Sequence, residues 1–395
     1  MSDTHTFLPY GRQSIDAIDV AAIVAAVQDE FLTTGPKVAE FEQAFARTTG
    51  AVHAIACNSG TAALHLAALS LDLGPGMAAI VPTITFLATA NAVRMTGAEV
   101  VFADVDPDTG LMTAQTLEQA LVRAQAAGQK VVAAFPVHLN GQVCDMEALA
   151  QIASDQGFAL VEDACHSLGA ANIGAADRSQ IACFSTHPVK AIATGEGGVV
   201  TTRDGRLAER MRKFRNHGMS RDPAMFENRD DAFGNGELNP WYYEMADVGW
   251  NYRMPDILCA LGLSQLSKLE GFFARRREIA AMYDRALAPL APRLRPVPHG
   301  SAPHGWHLYV VLIDFAALGR TRAQVMRSLR ERGIGTQVHY LPVHRQPYYR
   351  KRYGNLNLPG SAAYYDRCLS IPMYPAMTDT DVVRVVDALA CEIAG

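Results

Sequence analysis

Three short stretches of this sequence carry side chains whose chemistry and spacing suit a single ligand site. The first, Asn-Ser-Gly-Thr at 58–61, lies between a short apolar run and a helical pattern. Gly60 lets a backbone approach an anion closely, and the free N–H groups at a helix start favour a phosphate. Ser59 or Thr61 could instead simply cap the helix. A Walker-type loop is excluded, because the pattern G-x-x-x-x-G-K-[ST] is absent.

The other two stretches follow the ends of predicted strands. Asp163 comes after the apolar run 158–161, and ligands of open α/β sheets bind beyond the carboxyl ends of strands. Ser185 ends the next strand, Lys190 follows it, and a glycine-rich loop spans 194–198. Taken singly, an aspartate at this position is more often structural, and a lysine beside such a loop is usually a solvated surface residue.

Together, these residues are the parts that pyridoxal 5′-phosphate requires. Lys190 would form a Schiff base with it, the Asp163 carboxylate would keep its pyridine nitrogen protonated, and the helix start would hold its phosphate. A protonated ring is a better electron sink for the carbanion that forms when an amino acid loses its Cα proton. A carboxylate paired with the ring nitrogen therefore stabilises that transition state. The combination predicts a cofactor site with Lys190 and Asp163 as its catalytic residues.

The elements that would position these residues alternate between strand and helix from about residue 50 to about residue 205. We predict strands at 79–82, 100–103, 131–135, 159–161, 181–184 and 198–201, and helices that include 61–73 and 146–156. The strands are short apolar runs bounded by polar or glycine residues, as expected for strands buried on both faces. The alternation predicts an α/β fold with a mostly parallel sheet flanked by helices.

The C-terminal part of the sequence predicts a smaller α/β domain. A polar, aromatic-rich insert spans 222–243, and one long helix is predicted from Asp256 to about Ala288. A strand at 308–313, a helix at 322–332 and a strand at 335–339 follow. We therefore predict an N-terminal segment and large cofactor-binding domain at 1–265, and a linking helix and small C-terminal domain at 266–395.

Composition argues against several other classes of protein. The net charge of −5 provides no basic footprint for nucleic acid. No apolar run reaches the ~18 residues that span a membrane, and the N-terminus lacks the features of a secretion signal. The seven cysteines are scattered, so we expect reduced thiols in a cytoplasmic protein. We predict no metal site, since Asp104, Asp106 and Asp108 fail the calcium-loop pattern at Thr109, where glycine is needed.

Six motifs in order make the chain similar to one family. They are F-L-T-T-G-P at 31–36, N-S-G-T at 58–61, T-F-L-A-T at 85–89, E-D-A-C-H at 162–166, the stretch 185–198, and G-W-N-Y-R at 249–253. With these motifs, the chain resembles the DegT/DnrJ/EryC1/StrS sugar aminotransferases over nearly its whole length. The resemblance implies the aspartate-aminotransferase-like (type I) fold of pyridoxal-phosphate-dependent transferases, and transamination as the activity.

The resemblance also implies a role for each residue of the site. Lys190 binds the cofactor covalently, and Asp163 pairs with the pyridine nitrogen. Phe86 packs against the ring face, and His166 lies near the ring hydroxyl. The residues that hold the phosphate are Ser59, Gly60, Thr61 and Ser185. Asn251 reaches the cofactor phosphate of the neighbouring subunit, so a homodimer with shared active sites is expected.

Within the family, the similarity is greatest to the 4-aminotransferases of pseudaminic-acid pathways, which act on a UDP-linked 4-keto-6-deoxy-N-acetyl hexosamine. The features are H-P-V-K at 187–190, P-W-Y-Y-E at 240–244 and H-Y-L-P-V-H at 339–344. The resemblance implies that Thr33, Arg253 and Tyr340 contact the sugar nucleotide. It also implies L-glutamate as the amino donor.

Two other functions on the same scaffold are alternatives. Sugar dehydratases related to this family also use pyridoxal phosphate, but they replace the Schiff-base lysine with histidine, whereas Lys190 is present here. A non-catalytic nucleotide-sugar-binding or regulatory protein should have lost part of the cofactor set. Thr61, Asp163 and Ser185 are all retained, which favours the enzyme.

Overall fold

The computed structural model describes residues 6–299 and 304–394, which form an α/β fold around a seven-stranded sheet. The helices of the described residues are α1 (Ala17–Gln28), α2 (Pro36–Thr49), α3 (Gly60–Ser70), α4 (Leu87–Met95), α5 (Ala114–Ala126), α6 (Met146–Gln156), α7 (Gly205–Arg215), α8 (Arg229–Ala232), α9 (Asp256–Ser267), α10 (Leu269–Leu287), α11 (Arg322–Glu331), α12 (Pro347–Tyr353), α13 (Pro359–Arg367) and α14 (Asp379–Ala394). The strands are β1 (His53–Cys57), β2 (Met77–Pro82), β3 (Glu99–Ala103), β4 (Lys130–Ala134), β5 (Ala159–Asp163), β6 (Ile181–Ser185), β7 (Gly198–Thr202), β8 (Met219–Ser220), β9 (Phe233–Gly234), β10 (Glu237–Leu238), β11 (Glu244–Met245), β12 (Leu294–Pro296), β13 (Tyr309–Ile313) and β14 (Cys368–Ile371).

The large sheet has the strand order β1-β7-β6-β5-β4-β2-β3. Its strands from β6 to β3 are parallel, whereas β7 runs antiparallel to both β1 and β6. All six strands predicted for this region are present, with bounds that differ by at most two residues. The prediction succeeded because helices cover both faces of the sheet, so each strand is a nearly continuous apolar run.

A second, antiparallel sheet of three strands (β12-β13-β14) carries its own apolar core. Apolar side chains of α10, α11 and α14 pack on it, and so does Leu8 from the N-terminal segment. Leu8 is held there by backbone hydrogen bonds with Gly333 and Gly335. The N-terminal segment is therefore attached to the C-terminal sheet, while the division of the chain at residue 265 stays a prediction.

The single helix predicted from Asp256 to about Ala288 is wrong. The chain forms α9 and α10 instead, with a bend of 56° where they meet. Lys268 lies at this junction, and its ammonium group pairs with Asp16 and Asp19 at the start of α1. These partners are about 250 residues earlier in the chain, so helical periodicity around Lys268 carries no sign of them. Within the described ranges, no single helix is long and apolar enough to cross a membrane, and α9 and α10 pass that test only when joined.

The strand predicted at 335–339 is also wrong. In this stretch only Gln337 forms an isolated bridge, with Ser370, and the preceding Ile334 forms another with Leu8. Because the two partners belong to different segments, no continuous ladder develops. The strand predicted at 308–313 and the helix predicted at 322–332 are confirmed as β13 and α11.

Candidate active site

A cavity of about 640 Å³ opens at the carboxyl ends of the parallel strands. It brings together nine of the predicted site residues, which are Ser59, Gly60, Thr61, Phe86, Asp163, His166, Ser185, Lys190 and Tyr340. They come from the loops after β1, β2, β5 and β6 and from a C-terminal segment. This position agrees with the rule that ligands of open α/β sheets bind beyond the carboxyl ends of the strands.

The start of α3 forms one wall of the cavity. Ser59 caps the helix by accepting a hydrogen bond from the N–H of Ala62 at 3.1 Å, so the capping interpretation of this residue is confirmed. The same turn faces the cavity, where the first N–H groups of the helix suit an anion. A Cβ atom on Gly60 would lie 2.8 Å from the Cβ of Ser185, which is closer than side chains approach. Only glycine therefore allows the helix start to lie this close to the end of β6.

Asp163 supplies a buried carboxylate to the floor of the cavity. Its side chain is 5% exposed, at the end of β5. One oxygen accepts a hydrogen bond from the Thr89 hydroxyl at 2.7 Å, and the other accepts one from the N–H of Cys165 at 3.2 Å. Within the described part of the chain, both side-chain hydrogen bonds of Asp163 thus come from uncharged donors. A buried carboxylate of this kind suits a cationic ligand group.

Lys190 follows β6 in a turn in which its N–H donates to the carbonyl of His187. Burial lowers the pKa of Lys190, and the nearby groups of Cys165 and Asp163 oppose that effect. A lowered pKa increases the fraction of neutral amine, which is the form that attacks carbonyl carbons and accepts protons.

Phe86 and Tyr340 form the outer part of the cavity. Phe86 is 56% exposed, which is unusual for a large apolar side chain. The centre of its ring lies 6.0 Å from the centre of the Tyr340 ring. An exposed ring face in a cavity wall suits a planar ligand.

His166 has both ring nitrogens engaged within the protein. The N–H of Asn140 donates to Nδ1, and burial lowers the pKa of His166, so the ring is neutral and carries its hydrogen on Nε2. The Nε2–H group then donates to the Tyr340 hydroxyl at 3.1 Å. The hydrogen of the Tyr340 hydroxyl is left to donate to a ligand. The position of His166 near a ring hydroxyl stays a prediction.

Several cavity residues were missed by the sequence analysis. Tyr10 lines the cavity from the N-terminal segment, and His307 lines it from the loop before β13. The ring centre of His307 lies 4.4 Å from that of His166. No local pattern marks these residues, because they reach the cavity only through the packing of the small sheet. Thr89, which bonds to the cavity residue Asp163, is the last residue of the motif at 85–89, and a hydroxyl in this apolar helical turn was the available signal.

Three predicted residues lie outside this cavity. Thr33 and Asn251 are exposed, and the Arg253 guanidinium donates to the side chain of Asn216 at 2.5 Å. Arg253 lines a separate surface cleft of about 420 Å³ together with Lys213. A single chain therefore does not bring these residues to Lys190.

Within the described residues, no group of three His, Cys, Asp or Glu side chains is placed to hold a metal ion. Asp104, for example, accepts hydrogen bonds from the N–H groups of Gly360 and Ser361. Asp108 pairs with two arginine side chains.

The cavity residues fit pyridoxal 5′-phosphate. A lysine amine whose pKa is lowered by burial suits its aldehyde carbon, a buried carboxylate hydrogen-bonded by uncharged donors suits its protonated ring nitrogen, and a helix start without a Cβ at Gly60 suits its phosphate. The residues that form these three features are far apart in the sequence and meet only in the folded chain.

Comparison with known proteins gives the same assignment. The DegT/DnrJ/EryC1/StrS aminotransferase family model matches residues 13–390. The chain is 38% identical over 399 residues to the spore coat polysaccharide biosynthesis protein SpsC of Bacillus subtilis (strain 168), and the match covers 98% of each chain.

Solved structures are similar over the same length. Helicobacter pylori PseC, an aminotransferase involved in the biosynthesis of pseudoaminic acid, superposes with a TM-score of 0.87 at 26% identity, covering 98% of this chain and all of that one. Spr1654 of Streptococcus pneumoniae, assigned as a sugar aminotransferase, has a TM-score of 0.86 in its PLP form at 25% identity, covering 98% of this chain and 99% of that one. Its PMP form has a TM-score of 0.87 at 26% identity with the same coverage. The chain therefore belongs to the DegT/DnrJ/EryC1/StrS aminotransferase family and is a pyridoxal-phosphate-dependent sugar aminotransferase.

Proposed function

We propose that this enzyme transfers an amino group from L-glutamate to a nucleotide-linked 4-keto-6-deoxy sugar. The acceptor we propose is UDP-4-keto-6-deoxy-N-acetyl hexosamine, in the biosynthesis of a pseudaminic-acid-type glycan. The observation that carries the proposal is the convergence of Lys190, Asp163 and the start of α3 in one buried cavity. The choice of sugar is supported by the similarity to PseC and to a polysaccharide biosynthesis protein.

In the proposed enzyme, seven residues of the cavity hold the cofactor. Lys190 binds the cofactor covalently, Asp163 faces its ring nitrogen, and Phe86 stacks on its ring. The phosphate is bound by Ser59, Gly60, Thr61 and Ser185. When bound, pyridoxal phosphate withdraws electrons from the carbon that carries the amino group.

Lys190 is the group that moves protons in this proposal. With its pKa lowered by burial, the free amine takes the proton from Cα of the donor amino acid and later delivers a proton to the aminated carbon of the sugar. The same amine serves both halves of the reaction, and the two substrates occupy the same cavity in turn. We therefore expect ping-pong kinetics.

The charges in the cavity support a site that two subunits share. Both proposed substrates are anionic, yet among the described residues that line the cavity none is an arginine. Burial lowers the pKa values of His166, His307 and His339, so these rings are neutral and supply no positive charge. Among the described residues that line the cavity, Lys190 is then the only lysine or arginine, which supports a second cation from a partner subunit.

We propose that a homodimer supplies it. In this arrangement Asn251 binds the cofactor phosphate of the partner, and Thr33 and Arg253 contact the sugar nucleotide there, beside Tyr340 of the chain that holds the cofactor. Large apolar side chains left exposed on a single chain support such an interface, since exposed apolar surface is commonly covered at a contact between proteins. Helix α1 exposes Ile18, Val20, Val24 and Val27, and the insert after α8 exposes Trp241.

A panel of acceptors tests the substrate assignment. The purified enzyme is incubated with L-glutamate and each of several keto-sugar nucleotides that differ in base, in the carbon that bears the ketone and in N-acetylation. Release of 2-oxoglutarate and the mass of the aminated sugar are measured. We expect the highest kcat/KM for the UDP-linked 4-keto N-acetyl sugar, and a strong preference for another acceptor would refute the assignment. Loss of water from the sugar without a gain of nitrogen would identify a dehydratase instead.

A further inference from the structure

The Asp163 carboxylate is held by a side chain that no local pattern connects to it. Thr89 lies in α4, 74 residues earlier in the chain, and its Oγ1 is 2.7 Å from Oδ2 of Asp163. The Thr89 side chain is fully buried. With the N–H of Cys165 on Oδ1, each carboxylate oxygen receives one hydrogen bond. A carboxylate has about four acceptor sites, so lone pairs remain for a ligand.

A second threonine extends this hydrogen bond into a chain of hydroxyl groups. Thr85 Oγ1 lies 2.7 Å from Thr89 Oγ1, and both hydroxyls are buried. An ionised carboxylate can only accept, so the Thr89 hydrogen points to Asp163 and the Thr85 hydroxyl must donate to Thr89. The carbonyl of Phe86 is a competing acceptor for Thr89, but it is farther away, at 3.3 Å, and uncharged. The hydroxyls therefore form a chain that runs from Thr85 through Thr89 to Asp163.

We propose that Thr89 is a positioning residue of the cofactor site, with Thr85 orienting its hydroxyl. The proposal rests on the assignment of Asp163 to the ring nitrogen in the proposed function. Two donors aimed at the carboxylate fix its rotation, and both oxygens keep lone pairs that can accept from a protonated ring nitrogen. The two threonines also flank Phe86, so one turn of the chain positions both the ring-stacking side chain and the carboxylate.

A buried threonine in a helix commonly donates to a carbonyl of the preceding turn, and such a residue would have only a structural role. Thr49 shows this behaviour in α2, where its hydroxyl donates to the carbonyl of Phe45 at 2.9 Å. Thr89 differs, because its closest acceptor is a side chain of the cavity. Thr49 is therefore a matched control for a threonine-to-valine change.

The test measures the binding of pyridoxal 5′-phosphate to the apoprotein by titration, together with kcat and KM, in Thr89→Val, Thr89→Ser, Thr85→Val and Thr49→Val. We expect Thr89→Val to weaken cofactor binding by about tenfold or more, as removal of a hydrogen bond to a charged group does, and to lower kcat more than it changes KM. Thr89→Ser should restore most of the loss because it keeps the hydroxyl. Thr85→Val should cause a smaller loss in the same direction. Thr49→Val should leave cofactor binding unchanged, whatever it does to stability.

A double-mutant cycle separates this proposal from the function on which it rests. In the Asp163→Asn background the Thr89 hydroxyl donates to an uncharged amide oxygen at most, so Thr89→Val should cause a clearly smaller further loss, since coupled residues are not additive. If Asp163→Asn weakens cofactor binding but Thr89→Val does not, or if the two losses simply add, Thr89 has no positioning role and the assignment of Asp163 stands. If Asp163→Asn itself changes nothing, the assignment of Asp163 fails and the role of Thr89 fails with it. If Thr89→Val does not fold, the same double-mutant cycle is measured with Thr85→Val and Asp163→Asn.

Discussion

The Cα of Gly60 lies so close to Ser185 that a Cβ on the glycine would be 2.8 Å from the Cβ of the serine. The first residue of α3 and the last residue of β6 are thus in direct contact, although 125 residues separate them in the sequence. This contact places the helix N-terminus beside the turn that carries Lys190. It makes Gly60 a position at which one methyl group should alter the cofactor site.

We expect Gly60→Ala to weaken cofactor binding, because either the start of α3 or Ser185 must move. Overpacking of this kind costs about 1–3 kcal/mol of stability. The matched control is Gly271→Ala in α10, where an added Cβ meets no atom within 4 Å and the change should stabilise the helix. Cofactor titration and thermal unfolding of both variants check the prediction, which fails if Gly60→Ala binds the cofactor as tightly as the unmodified enzyme.

Lys190→Ala should abolish transamination without unfolding the protein. The reason is that this variant lacks both the covalent attachment of the cofactor and the amine that moves protons. Turnover is measured together with the mass of the intact chain after borohydride reduction, which should retain the cofactor only when Lys190 is present. Alanine at the exposed Lys130 provides the control and should change neither readout. Near-normal turnover in Lys190→Ala would contradict the assignment of Lys190 as the residue that binds the cofactor and moves protons.

Asp163→Asn should lower kcat by at least ~10²-fold, comparable to the loss of one electrostatic stabiliser in other active sites. The substitution keeps the size of the side chain and can keep the hydrogen bond to Thr89, but it removes the charge that pairs with the ring nitrogen. Steady-state kinetics at saturating cofactor check the change. An unaltered kcat would mean that another residue faces the ring nitrogen.

Mixing two inactive variants should restore activity if the sites are shared. Lys190→Ala and Asn251→Asp damage different parts of one composite site, the second by placing a carboxylate beside the partner's phosphate. A heterodimer then has one site with both changes and one with neither, so part of the activity should return. Subunit exchange is verified separately with two affinity tags. Verified heterodimers that stay inactive would show that Asn251 does not act across an interface.

The pH dependence of stability should include a contribution from Glu99. The Arg352 hydrogen bonds, together with Tyr353 and Arg94, lower the pKa of Glu99 from 4.5 to about 2. A carboxyl whose folded pKa is depressed contributes stability that is present above its unfolded pKa and is lost as the pH falls towards the folded value. Glu99→Gln should therefore lower the Tm at neutral pH, and the difference from the unmodified chain should shrink between pH 4.5 and about 2. Glu118→Gln, at an exposed position, is the control, and a pH-independent difference for Glu99→Gln would contradict the prediction.

The sequence alone was enough to predict the bounds of six of the seven strands of the large sheet and the main residues of the cavity. Strands buried on both faces are short apolar runs, which a sequence displays directly. Gly60, Asp163 and Lys190 follow the ends of such strands, and parallel strands bring their carboxyl ends to one edge. For these residues, a local pattern was enough to predict a common site.

Contacts between segments that are distant in the sequence became visible only in the folded chain. The bend between α9 and α10 is associated with the ion pairs of Lys268 to Asp16 and Asp19, and the hydrogen bonds of Asp163 depend on Thr89 in another helix. Asn251 and Arg253 belong to the motif at 249–253, yet in the folded chain they lie outside the cavity. Local periodicity reports which face of an element is buried, whereas only the packed chain determines which side chain lies against which. That is why the bounds of the strands of the large sheet were predicted within two residues. The side chains that contact Lys268 and Asp163 were not predicted.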